Sequence, residues 1–266
     1  MLAFVKVLQP KTLEEAYQLF IKHKTAPLLA GGCWLRLGKR RWPLVIDMSQ
    51  LGLDYIRLDE KEREICIGAM ATQGDVERDA SLQSVAHGLL PKAVHEILGV
   101  QFRNMATMGG SVASRFGFSD IIPLLLALRA DVVLYHGGRM SLESYMTWKE
   151  RDILVEVRIS CDPPAVAIDT LRNSRGDFPY LTGAIRYDTE GYALYIGARP
   201  GAPGKAVEAS NLLNAIGPQM SCKAGELAAN ELTYQSNSHA SSAYRQAMVV
   251  GMVRRLVSEV DKWKSR

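Results

Sequence analysis

Hydrophobic residues near the start of the chain follow the period of a helix and then that of short buried strands. The segment Thr12-Leu13-Glu14-Glu15 is a capping box with apolar residues three and four positions apart behind it, which predicts a helix to about His23. Apolar runs at 28–30 and 44–48 predict two buried strands. We therefore expect a small β-α-β-like lobe over about residues 1–52.

A second lobe is predicted from about residue 53 to residue 160. It opens with alternating apolar and polar residues on both sides of an acidic turn, which is typical of a β-hairpin. Longer apolar segments then predict helices and strands. The hairpin strands lie at 55–58 and 64–67, the helices at 89–98 and 121–128, and the later strands at 131–135 and 153–159.

The segment Cys161-Asp162-Pro163-Pro164 interrupts the pattern and predicts the boundary of a C-terminal domain, residues 161–266. Strands are predicted at 165–171, 181–187 and 192–198, and helices at 205–216, 223–229 and 242–263. The last helix repeats an apolar residue at every fourth position, which predicts a core-facing stripe of Tyr244, Met248, Met252, Leu256 and Val260. The fold class is therefore α+β: a two-lobed domain over residues 1–160 and a smaller α/β domain with an antiparallel sheet and helices.

Composition and charge exclude several classes of protein. The chain has 266 residues, 47% of them hydrophobic, and a formal net charge of +4 without the long basic run of a nucleic-acid surface. The dense basic cluster within residues 36–41 is interpreted as a solvated loop. The first residues lack the pattern of a signal peptide, and no apolar stretch is long enough for a membrane span. A cytoplasmic protein without a membrane partner is expected.

Cysteine and histidine spacing predicts no metal site. The four cysteines lie far apart and include no Cys-x-x-Cys, and no pair of the five histidines has the spacing of metal ligands. Any iron–sulfur centre is therefore expected on another chain.

Two glycine pairs carry the candidate chemistry. They lie in the segments 28–35, Leu-Leu-Ala-Gly-Gly-Cys-Trp-Leu, and 106–113, Ala-Thr-Met-Gly-Gly-Ser-Val-Ala. Glycine lets a main chain approach a ligand without a clashing Cβ, and N–H groups in such loops bind phosphate. The two loops together could therefore hold one diphosphate.

Common motifs with similar residues fit less well. The chain has no Gly-x-Gly-x-x-Gly, which argues against a Rossmann site. Gly32 and Gly38-Lys39 are one residue too far apart for a P-loop, and Arg40 stands where that motif needs Ser or Thr. The segment from Gly109 to Ala113 approaches a nucleophile elbow but ends in alanine, and no histidine follows in a recognisable context.

The wider context of the second pair is more specific. Residues 101–113 read Gln-Phe-Arg-Asn-Met-Ala-Thr-Met-Gly-Gly-Ser-Val-Ala, and residues 119–123 read Ser-Asp-Ile-Ile-Pro. This resembles the flavin-binding subunit of the xanthine dehydrogenase family of molybdenum hydroxylases, whose pattern is Gln-Ile-Arg-Asn-x-Ala-Thr-Ile-Gly-Gly-Asn and then Ser-Asp-Leu-x-Pro. The first loop resembles that family's Ala-Gly-Gly-Thr-Asp-Leu, and segments 153–157, 172–175 and 242–245 resemble later family segments in the same order.

The resemblance implies an FAD site of the type shared with vanillyl-alcohol oxidase and p-cresol methylhydroxylase, the PCMH/VAO-type fold. The first loop would approach the FAD diphosphate and the second would close over it. Asp120 would lie near ligand hydroxyls, Leu154 near the isoalloxazine, and Arg172 where a cation favours the reduced, anionic flavin. The implied cofactor-binding residues are Leu29, Ala30, Gly31, Gly32, Cys33, Trp34, Leu35, Thr107, Gly109, Gly110, Ser111, Val112, Asp120, Leu154 and Arg172.

From the residues alone, other roles stay open for three of these positions. Asp120 could cap the helix that follows it, Leu154 could be an ordinary core leucine, and Arg172 could be a solvated arginine at a strand end. No side chain is assigned an acid–base role, because a flavin carries the electron chemistry itself.

The resemblance also implies a function and partners. The chain would be the electron-transfer subunit of a complex with a large molybdopterin subunit and a small [2Fe-2S] subunit, and it would pass electrons to NAD+ or another acceptor. Cys33 and Trp34 stand where the family has Thr and Asp, Ser111 stands where it has Asn, and residues 115–118 also depart from the pattern. These departures leave one alternative open, a scaffold subunit that has lost FAD. A stand-alone flavin reductase of the same fold is a second alternative, and the acid–base residues it would need for its own substrate are not evident in the C-terminal part.

Overall fold

The computed structural model describes residues 3–264, and its first sheet is a small parallel one. Its strands are β1 (Ala3–Leu8), β2 (Leu28–Leu29) and β3 (Arg41–Asp47), in the order β1-β3-β2. Helix α1 (Leu13–Lys22) connects β1 to β2 and agrees with the predicted helix. Strand β1 was not predicted. Most of its residues are exposed, and Val5 is 90% exposed, so the strand shows no alternation between a core face and a solvent face.

The cap of α1 differs from a complete capping box. The Thr12 hydroxyl accepts a hydrogen bond from the Glu15 N–H at 3.2 Å, as the sequence predicts. The Glu15 carboxylate accepts from the Lys11 N–H at 3.0 Å and not from that of Thr12.

The second sheet is antiparallel, with five strands in the order β4-β5-β8-β6-β7. The predicted hairpin forms its first pair, in which Ile56 faces Ile67 and Asp59 faces Glu64. Strand β8 lies between β5 and β6 and joins the hairpin to the rest of the sheet. The strands are β4 (Ile56–Asp59), β5 (Glu64–Gly68), β6 (Asp131–Leu134), β7 (Gly138–Ser141) and β8 (Leu154–Ser160).

Seven helices accompany this sheet among the described residues, and most are too short to show a hydrophobic period. They are α2 (Gln73–Arg78), α3 (Ala80–Ser84), α4 (Leu89–His95), α5 (Val100–Arg103), α6 (Met108–Ala113), α7 (Ile121–Ala127) and α8 (Leu142–Thr147). The structure confirms the predicted helix α7, all of whose residues are buried. Helix α4 ends three residues earlier than predicted, and Leu98 beyond it has a φ of +46°, which no α-helix accommodates.

The third sheet and three helices form the C-terminal part. The antiparallel strands follow the order β12-β11-β10-β9. They are β9 (Ala165–Leu171), β10 (Leu181–Asp188), β11 (Gly191–Gly197) and β12 (Gly204–Ala206), and the helices are α9 (Val207–Ile216), α10 (Ser221–Glu231) and α11 (Ser242–Lys264). The turn after Asp188 is confirmed, and Gly191 has a φ of +93° there.

The predicted stripe of α11 faces the core along most of its length. Met252, Leu256 and Val260 are at most 1% exposed, and Met248 packs against the same core, whereas Tyr244 at the start of the helix is 43% exposed.

The two parts of the chain pack together through helix α7, which contacts β10 and β11. The larger hydrophobic core accordingly includes Val166, Ala184, Ala193 and Tyr195 from the third sheet. The division into domains at residue 161 stays a prediction. In the part of the chain that the structure describes, no helix combines the length and hydropathy that crossing a bilayer requires.

Two helical glycines test how closely α10 and α11 pack. A Cβ at Gly225 would lie 2.7 Å from the Val250 Cα, whereas a Cβ at Gly251 would meet only the Arg255 guanidinium at 3.5 Å. We expect Gly225→Ala to destabilise the protein by about 1–3 kcal/mol because the helices must separate.

The matched variant Gly251→Ala should be neutral or stabilising by about 0.5–1 kcal/mol, since alanine favours a helix. Urea unfolding of both variants measures the difference. Equal free energies of unfolding would contradict the close helix contact.

Candidate cofactor site

The two glycine loops meet by direct contact of their main chains. A Cβ at Gly31 would lie only 1.7 Å from the Met105 carbonyl oxygen, and one at Gly109 would lie 2.6 Å from the Ala69 oxygen. Real Cβ atoms do not approach other atoms this closely, so glycine is required at both positions. The loop after β2 therefore packs on the segment that leads into α6, and a cleft remains beside the contact.

The cleft has a volume of about 320 Å³ and collects most of the predicted binding residues. Those that line it are Ala30, Gly31, Gly32, Cys33, Trp34, Leu35, Thr107, Gly109, Gly110, Ser111 and Leu154. Leu29 lies in β2, and Val112 is fully buried in the core, so neither lines the cleft. Met48, Met70 and Asp152 line it as well and were not predicted from the sequence.

The first loop holds a row of free main-chain donors. In the hydrogen bonds of the described residues, the N–H groups of residues 31–35 have no acceptor. The loop is held from its carbonyl side instead, because Gly32 and Trp34 accept from the N–H groups of Arg36 and Leu37 at 3.1 Å each. Gly32 adopts a φ of +65°, which glycine tolerates without strain. Successive free N–H groups of this kind form a cradle for an anion.

The second loop differs from the sequence expectation that both loops offer donors. Its glycine pair lies in the first turn of α6, and the N–H groups of Met108 and Gly109 donate to Ala71 and Ala69 at 2.8 Å each. The N–H groups of Gly110 and Ser111 donate to the hydroxyl and carbonyl oxygens of Thr107. The second loop therefore shapes the cleft by its small residues and supplies few donors to it.

An aromatic cluster borders the cleft. The indole ring of Trp34 lies 5.0–6.0 Å, between centroids, from four phenylalanine rings that come from three other segments. These are Phe102, Phe116, Phe118 and Phe178. All five rings are partly exposed, and neither hydrophobic core among the described residues includes them. Aromatic rings outside a core and beside a cleft indicate a surface for a planar ligand.

A smaller chamber of about 50 Å³ lies on the other side of this cluster. Trp34, Ser111 and Phe116 line both the chamber and the cleft, so the two spaces are neighbours. Asp120 and Gln73 add polar groups to the chamber wall. Gln73 was not predicted, because a single glutamine at a helix start gives no sequence signal.

Asp120 forms a buried ion pair with Arg172. The carboxylate oxygen lies 2.6 Å from the guanidinium, and both side chains are 9% exposed. Arg172 also donates to the main-chain oxygens of Glu96 and Asp177 at 3.0 and 3.1 Å. Burial raises the pKa of Asp120 to about 6, and the charge of Arg172 offsets this effect only in part.

The structure decides two of the roles left open for these positions. Asp120 precedes α7 but makes no side-chain cap, and the Ser119 hydroxyl accepts the Ile122 N–H in its place at 3.1 Å. The Arg172 side chain is 9% exposed and pairs with Asp120, so it is not a solvated arginine. Leu154 lines the cleft and also belongs to the larger core.

Cys33 is a passive residue of the first loop. Its Sγ lies 3.7 Å from the Gly31 carbonyl oxygen and donates to it, and burial raises the pKa of the thiol. A raised pKa lowers the fraction of reactive thiolate at neutral pH.

The arrangement defines a class of protein. A cleft between two lobes, with free main-chain donors on one side and aromatic rings beside a buried acid on the other, suits a cofactor that combines phosphate with a planar ring. FAD fits these residues, because its diphosphate can accept hydrogen bonds from such donors and its planar rings can pack on such side chains.

Comparison with known families agrees. Residues 3–159 match the model of the FAD binding domain in molybdopterin dehydrogenase, and since this is more than half of the 266 residues, the chain belongs to that family. These matches confirm the prediction that the chain is an oxidoreductase subunit of the molybdenum hydroxylase class. They also confirm FAD as the cofactor of its domain.

Individual relatives include subunits of multi-subunit enzymes. The chain is 26% identical over 278 residues to the nicotine 6-hydroxylase medium subunit of Paenarthrobacter nicotinovorans, covering 96% of each chain. It is 36% identical over 132 residues to the nicotinate dehydrogenase FAD-subunit of Eubacterium barkeri, covering 47% of this chain and 44% of that one. A carbon monoxide dehydrogenase structure from Hydrogenophaga pseudoflava has the same fold, with a TM-score of 0.85, 23% identity and 98% coverage of both chains.

The contact between the loops can be tested at Gly31. We expect Gly31→Ala to destabilise the protein by about 3 kcal/mol and to weaken FAD binding at least about tenfold, because the Cβ would overlap the Met105 main chain. Gly38→Ala is the control, since Gly38 has a φ of −68° and its Cβ would meet only the Leu35 oxygen at 3.3 Å. Thermal unfolding and FAD titration measure both effects. Normal FAD affinity in Gly31→Ala would contradict the proposed contact.

The raised pKa of Asp120 predicts a pH dependence of stability. Between the ordinary carboxyl pKa of 3.8 and about 6, the folded protein binds more protons at this group than the unfolded chain, so the contribution of Asp120 to stability falls as the pH rises. We expect the free energy of unfolding of the wild type, minus that of Asp120→Asn, to fall from about pH 4 to about pH 6 and then to level off. Denaturant unfolding across this range measures it. A difference that rises with pH would show that Arg172 dominates and holds the pKa low.

Proposed function

We propose that this chain is the FAD-carrying electron-transfer subunit of a molybdenum hydroxylase complex. It takes electrons from [2Fe-2S] clusters on a small partner subunit and passes them to NAD+ or another acceptor, while a large molybdopterin subunit binds the substrate. The observation that carries the proposal is the row of free N–H groups at residues 31–35, in a loop that lines a cleft beside aromatic rings. The names of the relatives, a medium subunit and an FAD-subunit, support a place in such a complex.

Each part of the site has a role in this proposal. Bound FAD supplies reversible one- and two-electron chemistry at its isoalloxazine ring. The N–H groups of residues 31–35 hold the diphosphate, and Asp120 accepts a hydrogen bond from a ligand hydroxyl. Leu154 and the rings around Trp34 exclude water, and Arg172, which pairs with Asp120 at 2.6 Å, holds that carboxylate in place.

The proposal extends to domain organisation and location. Residues 1–160 form the FAD-binding domain and residues 161–266 form the C-terminal domain of this type of flavoprotein. The complex is placed in the cytoplasm.

A scaffold subunit without FAD is the second candidate. The observation in its favour is the tight cluster around Trp34, which leaves a chamber of only about 50 Å³ on one side. In that case the chain would keep the fold and the contacts with partner subunits but would have lost the flavin.

Flavin content separates the two candidates. We expect the purified chain to be yellow, to show the absorption bands of oxidised flavin with about one FAD per chain, and to co-purify with the large and small subunits when the three are expressed together. The double variant Cys33→Thr/Trp34→Asp, which restores the residues of the resembled family, serves as the comparison. A colourless wild type that takes up no added FAD, beside a double variant that does, would contradict the proposal and favour the scaffold.

A further inference from the structure

Gln73 is a buried residue fixed against the second glycine loop. It is the first residue of α2, whose N-cap is Thr72, and its main-chain N–H donates to the Ala106 oxygen at 2.7 Å. Gln73 is 4% exposed, and it lines the chamber beyond the aromatic cluster. Its amide is therefore held in one place beside the candidate cofactor site.

The hydrogen bonds of Ser111 fix the orientation of this amide. The Ser111 hydroxyl donates its proton to the Thr107 carbonyl oxygen at 2.7 Å, so toward Gln73 it can only accept. Gln73 must then direct its Nε2 to the Ser111 Oγ, at 3.0 Å. The other atom of the amide, Oε1, is left as a buried acceptor without a partner among the described residues.

A buried acceptor without a partner is costly and rare in proteins. The chamber that Gln73 lines has mostly aromatic and aliphatic walls, and the carboxylates of Asp120 and Asp177 are further acceptors in it. Acceptors in a largely apolar chamber select a ligand that carries N–H or O–H donors on an otherwise apolar frame. A volume of about 50 Å³ admits the edge of such a ligand in this conformation.

We propose that the Gln73 Oε1 accepts a hydrogen bond from an N–H or O–H donor of FAD, which makes Gln73 a recognition residue for that cofactor. The inference rests on the proposed function. Both halves of FAD carry such donors, the imide N–H and the ribityl hydroxyls on the flavin side and the amino group and the ribose hydroxyls on the adenosine side, whereas the diphosphate binds to the separate cradle at residues 31–35. FMN and ADP carry one half each, so they distinguish the two sources of the donor.

Binding of FAD, ADP and FMN to the full-length, flavin-free protein tests the proposal. ADP contains the diphosphate and adenosine but no flavin, and FMN contains the flavin but no adenosine. Gln73→Met keeps the length of the side chain and removes both polar atoms, and we expect it to weaken binding of FAD and of one of the two smaller ligands about tenfold while the other binds as before. The control Gln18→Met replaces an exposed glutamine of α1 that bonds only Glu14, and it should bind all three ligands like the wild type.

The outcomes separate the inference from the proposed function. Unchanged FAD affinity in Gln73→Met would overturn the inference, and equal losses for FAD, ADP and FMN would show a purely structural role and overturn it too. A wild type that binds none of the three ligands would overturn the proposed function and the inference with it. Thermal unfolding of the ligand-free Gln73→Met protein checks the fold.

Discussion

The approach of the Gly31 main chain to the Met105 carbonyl is the contact on which the site depends. Even one added carbon at residue 31 would lie 1.7 Å from that oxygen, so the loops meet only because no Cβ is present. The contact fixes the parallel sheet of the first lobe against the segment that leads into α6. The cleft is the space left beside it. The shape of the cleft is therefore set by the packing of main chains. Changes in the surrounding side chains should alter it less than a substitution of Gly31.

The two glycine pairs look alike in the sequence but act differently in the fold. The second pair lies in the first turn of a helix, where Thr107 and the oxygens of Ala69 and Ala71 use the N–H groups. The first pair lies in a loop that is fixed through its carbonyl groups, so its N–H groups stay free. One loop supplies donors and the other supplies close packing. A site for a dianionic diphosphate needs both. The free N–H groups of the first loop can hold the diphosphate only if the second loop closes the other side of the cleft.

Local patterns predicted the longer elements well and the site only in part. Helices α1 and α11 and the hairpin of β4 and β5 show a hydrophobic period, and α7 is a continuous apolar run, so the sequence alone located them. Helices α2 and α5, with six and four residues, are too short to show a period. The aromatic cluster was not predictable, because Trp34, Phe102 and Phe178 lie far apart in sequence and meet only in the folded chain. The orientation of Gln73 depends in the same way on Ser111, 38 residues later.

Cys33 and Trp34, the two unusual residues of the first loop, change the side chains beside a bound ligand. They do not change the main-chain N–H groups that would hold its phosphates. Cys33 and Trp34 keep their free N–H groups, since a main-chain donor does not depend on its side chain. The Cys33 thiol points to the Gly31 carbonyl, and the Trp34 indole joins four phenylalanine rings. In place of the carboxylate that the resembled family has at this position, the indole adds no charge and offers a flat apolar surface to a planar ring. The substitution is thus compatible with binding of FAD, and its main effect is on access to the ring, because five aromatic side chains now border the space beside it.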